Sequence, residues 1–262
     1  MKTPTLIGLA LAVALIAGAV QAQPYVVLAD GRRVDGSAIR ALSNGDINLT
    51  TAAGVRTFPR GSYARAVAAE PPEYRQAQAA LQAQRYDDAV RLLEGIATRF
   101  RYLDWDVQAL KLLPEALIQK GDSEEAVKAY DRLFQIAPDQ RQDSAVAWGQ
   151  RRAMLAAKQY SVLERQLDAV AASGSRPDAA RAQIMRGDIR AAQNNLDLAV
   201  LDYLRTVILF QDVRDADIQG EAHFKAAQTL EALRDPRARD IYKRLVDNHA
   251  SSPYAAQARG KL

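Results

Sequence analysis

The 262-residue chain contains no cysteine, which excludes a disulfide framework, thiol catalysis, iron–sulfur ligation and c-type haem attachment. Only two histidines are present, His223 and His249, with no acid at ligand spacing, so neither a metal nor a cofactor is expected. A Walker loop, a dinucleotide fingerprint, a nucleophile elbow and a zinc-protease helix are all missing. The acidic pairs Asp87-Asp88 and Glu124-Glu125 fall where helices should begin, a position in which negative charge favours the helix dipole rather than acid–base work. The chain therefore reads as no enzyme. Aromatic residues make up 6% and charged residues 25%, an ordinary folded composition, and the 35 basic against 31 acidic side chains leave a formal charge of +4.

Long apolar runs are scarce too. The main one extends from Thr5 to Val20 behind the single charge of Lys2, and Val20-Gln21-Ala22 supplies small residues where a signal peptidase reads. Residues 1–22 are expected to be a signal peptide cleaved between Ala22 and Gln23, the run being too short and too rich in Ala and Gly to span a bilayer stably. An exported chain without disulfides fits a periplasmic or secreted protein of a bacterial envelope.

Between Tyr25 and Val67, short β-branched runs are separated by Asp30-Gly31, Asn44-Gly45 and Ala53-Gly54, dipeptides suited to tight hairpins. Strands are expected at Tyr25 to Leu28, Arg33 to Leu42 with a bulge at Gly36, Ile47 to Thr51, Val55 to Phe58 and Ala64 to Val67. The run Val26-Val27-Leu28-Ala29-Asp30-Gly31-Arg32-Arg33-Val34-Asp35-Gly36, with Asn44-Gly45-Asp46-Ile47-Asn48-Leu49-Thr50 and Val55-Arg56-Thr57-Phe58-Pro59-Arg60, resembles SH3-like or Sm-like small barrels. The expected domains are thus a small all-β barrel over 23–69 and a helical region over 70–262, divided at Glu70-Pro71-Pro72-Glu73.

Beyond that boundary an apolar triplet recurs: Ala89/Leu93/Ile96, Ala126/Tyr130/Leu133, Leu163/Leu167/Val170, Ala199/Tyr203/Thr206 and Ala238/Tyr242/Leu245. The starting residues are 37, 37, 36 and 39 positions apart, a period that signifies stacked helical hairpins. Ala126, Tyr130 and Pro138 carry the spacing of a tetratricopeptide repeat, with Gly121 suited to the turn and Asp122 with Glu125 to a cap. Residues 70–262 therefore resemble a tetratricopeptide array. The departures are Pro114 within a first helix, Leu163 where a small residue is usual, and a period longer than the family's. The closing stretch from Tyr242 through Ala255 resembles the terminal repeat of periplasmic proteins that work beside the Tol-Pal system. The resemblances imply a mainly α fold: an α-solenoid of about five helix pairs behind a small barrel.

What the tetratricopeptide resemblance implies about function is a concave groove, lined by the first helix of each hairpin, that receives a protein or peptide. Carried across the repeats, the inward positions are Tyr74, Lys111, Trp148, Ile184 and His223, and one turn later Gln78, Glu115, Arg152, Asp188 and Ala227. Trp148 with Arg152 forms the leading pair, because aromatic and arginine side chains are favoured anchors. The expected function is a non-catalytic scaffold for an unidentified protein partner in the cell envelope. The alternative places binding in the β module: Arg32, Arg33, Arg40, Arg56, Arg60 and Arg65 face only Asp30, Asp35 and Asp46 there, whereas residues 70–262 are charge-balanced. Such a basic patch suits an anionic envelope polymer, and export argues against nucleic acid.

Overall fold

A computed structural model describes residues 23–262, so the expected signal peptide lies outside the described residues. Two compact units divide the chain at Ala109/Leu110.

The first unit opens with six strands: β1 (Tyr25–Leu28), β2 (Arg33–Asp35), β3 (Ala38–Ala41), β4 (Ile47–Thr51), β5 (Gly54–Phe58) and β6 (Tyr63–Val67). They form two antiparallel three-stranded sheets, ordered β2-β1-β6 and β3-β4-β5, rather than the expected closed barrel. Gly36 is the reason. The segment read as one bulged strand is cut there, because the Gly36 amide donates to Pro24 at 2.9 Å while Ser37 donates to Thr50 at 2.8 Å, sending β2 and β3 to different sheets. A Cβ at Gly36 would overlap the Thr50 carbonyl and the Leu49 side chain, so only glycine fits this corner. Alternation does the rest: Val26, Ile47, Leu49, Phe58 and Ala66 point into one core, and Leu103 completes it.

Helices α1 (Pro72–Gln82) and α2 (Tyr86–Arg99) follow in the same unit, tied by an ion pair of Glu73 with Arg99 at 2.8 Å. The turn after α2 is fastened to the strands. Leu103 accepts from the Ala68 amide at 3.3 Å, the Trp105 indole donates to the Ala68 carbonyl at 2.9 Å, and Arg65 grips Asp104 through two nitrogens at 3.0 and 2.7 Å.

Helix α3 (Trp105–Lys120) crosses the division, and the second unit continues with α4 (Ser123–Ile136), a 3₁₀ turn (Pro138–Gln142), α5 (Ser144–Ala156), α6 (Tyr160–Ser173), α7 (Arg176–Ala192), α8 (Leu196–Leu209), α9 (Ala216–Ala232), α10 (Arg237–Asn248) and α11 (Pro253–Arg259). Every residue of the five recurring triplets lies in an even-numbered helix from α2 to α10, and all but the half-buried Val170 are buried. Among the described residues no helix is long and apolar enough to cross a membrane.

The five hairpin turns share one backbone device. Gln84, Gly121, Lys158, Asn194 and Arg234 each adopt positive φ, between 56° and 98°. After each, an amide reaches back across the turn to a helix carbonyl: Arg85 to Ala80, Asp122 to Leu117, Gln159 to Met154, Asn195 to Arg190 and Asp235 to Leu230, all at 2.8 or 2.9 Å. The expected side-chain cap at Asp122 is not made; its carboxylate pairs with Lys120 at 2.9 Å instead. Lysine at a left-handed position is strained where glycine would not be. Lys158→Gly is accordingly expected to gain about 0.5 kcal/mol, the relief of strain exceeding glycine's extra unfolded-state entropy. Thermal melting checks this, and a lower midpoint than wild type contradicts it.

Candidate functional site

Helices α3, α5, α7 and α9 are the first helices of their hairpins, and one face of each lines a pair of adjoining depressions in the second unit. The larger, about 790 Å³, is walled by Trp148, Arg152 and Leu155 from α5, Ile184, Met185 and Asp188 from α7, and Glu221 and Lys225 from α9. The smaller, about 460 Å³, is bordered by Lys111 and Glu115 from α3, Tyr130 from α4 and Arg152 from α5. Arg152 belongs to both.

Charge in this groove is arranged in a network. The Lys225 ammonium lies 2.8 Å from Asp188 and 2.6 Å from Glu221, and the Tyr203 hydroxyl donates to Asp188 at 2.9 Å. Burial alone would push the Lys225 ammonium down, but the two carboxylates outweigh it and hold its pKa above the ordinary value. Burial, with Asp188 alongside, drives the Tyr203 hydroxyl far up, so it stays protonated and remains a donor. Arg152 is exposed and has no ion-pair partner among the described residues, whereas Lys111 stands 3.9 Å from Asp143. The groove thus offers a free guanidinium, an apolar floor and a fixed lysine–carboxylate triad, which suits a peptide with both apolar and charged side chains.

Of the ten positions carried over from the repeat spacing, six come together here: Lys111, Glu115, Trp148, Arg152, Ile184 and Asp188. Trp148 is only 7% exposed and its indole donates to Asp178 at 3.1 Å, so it forms wall as well as core. Tyr74 and Gln78 belong to the first unit, where Tyr74 meets Trp105 edge-on at 4.9 Å and Gln78 is exposed. His223 does not line the groove. It is buried on the other side of α9, its Nδ1 donating to the Gln219 carbonyl at 2.8 Å, and its ring sits 5.0 Å from that of His249; Ala227, one turn on, is buried against Tyr242. The phase slipped because the last period of 39 was applied to α9, whereas Glu221 and Lys225 follow Ile184 and Asp188 by 37 residues each. Repeating that interval would have found the missed pair.

The histidines have a consequence of their own. Burial holds both imidazoles below the ordinary value of 6.5, His249 and Arg244 adding to the effect on His223. The unfolded chain therefore takes up protons that the folded chain refuses, so stability is complete above pH 6.5 and falls as pH drops through it. Denaturant unfolding at pH 7.5 and 5.0 should show a loss at the lower pH that His223→Gln reduces; an identical pH profile in that variant contradicts the assignment.

In the β module, Arg32 pairs with Asp30 and Arg33 with Asp35, each at 2.7 Å, and Arg65 is held by Asp104. Arg33, Arg56 and Arg60 lie over the rings of Tyr25, Phe58 and Tyr102. Arg40 sits on the edge strand β3. Half of the basic patch is thus engaged with carboxylates of its own unit.

The fold is that of an array of helical hairpins. The tetratricopeptide repeat family matches residues 221–252, from most of α9 through α10 to the residue before α11, rather than the stretch from Ala126 to Pro138 in which the spacing looked strongest. No curated protein matches the chain. Among solved structures, it is similar to "MamA 41-end" from Desulfovibrio magneticus RS-1, at 19% identity over 68% of this chain and 94% of that one, with a TM-score of 0.46. It is also similar to MamA AMB-1, at 19% identity over 73% of this chain and 100% of that one, with a TM-score of 0.42.

Proposed function

We propose that the chain is an exported, non-catalytic scaffold that binds a protein segment in the groove formed by α3, α5, α7 and α9. One observation carries this reading: side chains of alternate helices, from Lys111 to Lys225, line adjoining hollows that mix apolar floor with charge. Such a surface repeats its contacts once per hairpin and so recognises extended or helical segments. Export rests on the apolar run before Gln23 and on the absence of cysteine. The resemblance of residues 242–255 to Tol-Pal-associated repeats points to the same compartment.

Photo-crosslinking in the native envelope tests the groove. A crosslinking residue at Glu115 or Arg152 should trap a common partner, and one at the exposed Asp131 on α4 should not. Equal trapping from all three positions, or from Asp131 alone, removes the groove assignment. Sequencing the N-terminus of protein recovered from the envelope tests the leader, the expected first residue being Gln23.

A further inference from the structure

Six arginines of the second unit have an acid of their own. Arg176, Arg181, Arg186, Arg190, Arg205 and Arg237 are paired with Asp212, Asp215, Asp168, Glu164, Asp202 and Asp235. Arg141 and Arg151 are not paired among the described residues, and both line one further hollow, of about 590 Å³, between α4, α5 and α6. Aromatic faces hold them instead. The Arg151 guanidinium lies 4.7 Å from the centre of the Trp148 ring and that of Arg141 lies 4.7 Å from the Phe134 ring, while Arg141 also donates to the Phe134 carbonyl at 3.3 Å. The Nε of Arg151 is buried without an acceptor, and burial holds the pKa of this side chain below its ordinary value. Asp178, the acid nearest to hand, is already taken by the Trp148 indole at 3.1 Å and the Ser175 hydroxyl at 2.6 Å.

We propose that this hollow is a second binding site, for a carboxylate carried on a short apolar stem, with Arg151 and Arg141 as the recognising groups. Folding has already stripped part of the water from Arg151 and fixed its plane on Trp148, so an incoming carboxylate gains charge-assisted hydrogen bonds at little further desolvation or ordering cost. Phe134, Trp148 and Val170 supply apolar wall for the stem, and Gln166 an amide beside it. A glutamate within a peptide and a free amino-acid-sized carboxylate present this same chemistry. The site shares Trp148 with the groove wall, but its two recognising arginines do not line the groove.

The test is calorimetric titration of the full mature chain with three probes: acetyl-Ala-Leu-Glu-Leu-Ala-amide, its glutamine counterpart, and N-acetylglutamate. The glutamate peptide should bind at least about tenfold more tightly than the glutamine peptide, and more weakly as salt is raised. Arg151→Met and Arg141→Met should each weaken it by about tenfold. Arg151→Lys, which keeps the charge without the fork, should retain part of the affinity, and Arg165→Met, at an exposed position of α6 outside both the hollow and the groove, should change nothing. Binding of N-acetylglutamate as tightly as the peptide supports the site and identifies a small acid as its ligand; binding of the peptide alone supports it and identifies a protein segment. Equal affinity for the two peptides, no binding of any probe at millimolar concentration, or wild-type binding by folded Arg141→Met overturns the proposal.

Discussion

Gly187→Val is expected to lower the melting temperature of the second unit by on the order of 10 °C. Gly187 sits on α7 where the Tyr203 ring of α8 crosses it, and a Cβ there would overlap ring atoms rather than a flexible chain end. The ring cannot swing aside at small cost, because Tyr203 is 2% exposed and its hydroxyl is bonded to Asp188. Overpacking of a core costs about 1–3 kcal/mol, and displacing the hydroxyl adds about 1 kcal/mol. For a unit of this size each kcal/mol moves the midpoint by roughly 2–4 °C. A companion change distinguishes crowding from a backbone effect: Tyr203→Leu should be destabilising alone yet partly rescue Gly187→Val, a coupling that a double-mutant cycle measures. A midpoint for Gly187→Val within experimental error of wild type means that α7 and α8 are not packed in this way.

Lys225→Met should cost about 3 kcal/mol, read as a lower denaturation midpoint. The loss exceeds that of a surface ion pair because Asp188 and Glu221 would be left facing each other, with their side chains 16% and 29% exposed. Surface pairs such as Arg237 with Asp235 contribute little by comparison. The raised pKa of Lys225 means that its contribution is present below its ordinary value of 10.5 and is lost only as pH rises through the folded value. The defect should therefore be the same at pH 6 and pH 9. Neutralising the neighbours as well, in a Lys225→Met/Asp188→Asn/Glu221→Gln chain, should recover much of the stability. If the single and triple variants unfold alike, unpaired charge is not the cause.

Much of the architecture was legible because period and alternation are imposed by packing. The triplets from Ala89/Leu93/Ile96 to Ala238/Tyr242/Leu245 mark the second helices since each must bury a stripe against its partner. Strand positions around Ile47 and Leu49 were legible for the parallel reason in a sheet. Closure of the sheets was not, because whether Gly36 bulges within a strand or turns the chain between sheets depends on its contacts with Pro24 and Thr50. Four of the five hairpin turns were equally silent: glycine announces a left-handed residue at Gly121, whereas Gln84, Lys158, Asn194 and Arg234 are pressed into that conformation by the helices they join. In the groove, Trp148, Arg152, Ile184 and Asp188 followed from nearly equal intervals of 37 and 36, and His223 failed where the interval lengthened to 39. The pairing of Lys225 with Asp188 links α9 to α7, a register that no local pattern encodes.

The shared geometry of those turns makes them interchangeable joints. A cut after Lys158 and another after Asn194 leave ends in the same backbone conformation, each just past a helix carbonyl that waits for the same returning amide. Splicing Lys158 directly to Asn195 would remove one complete hairpin's worth of chain and close the remainder through a turn of the original form. Duplicating that stretch would lengthen the array without a new loop having to be invented. The turns thus hold a ready seam at which the groove can be shortened by one step.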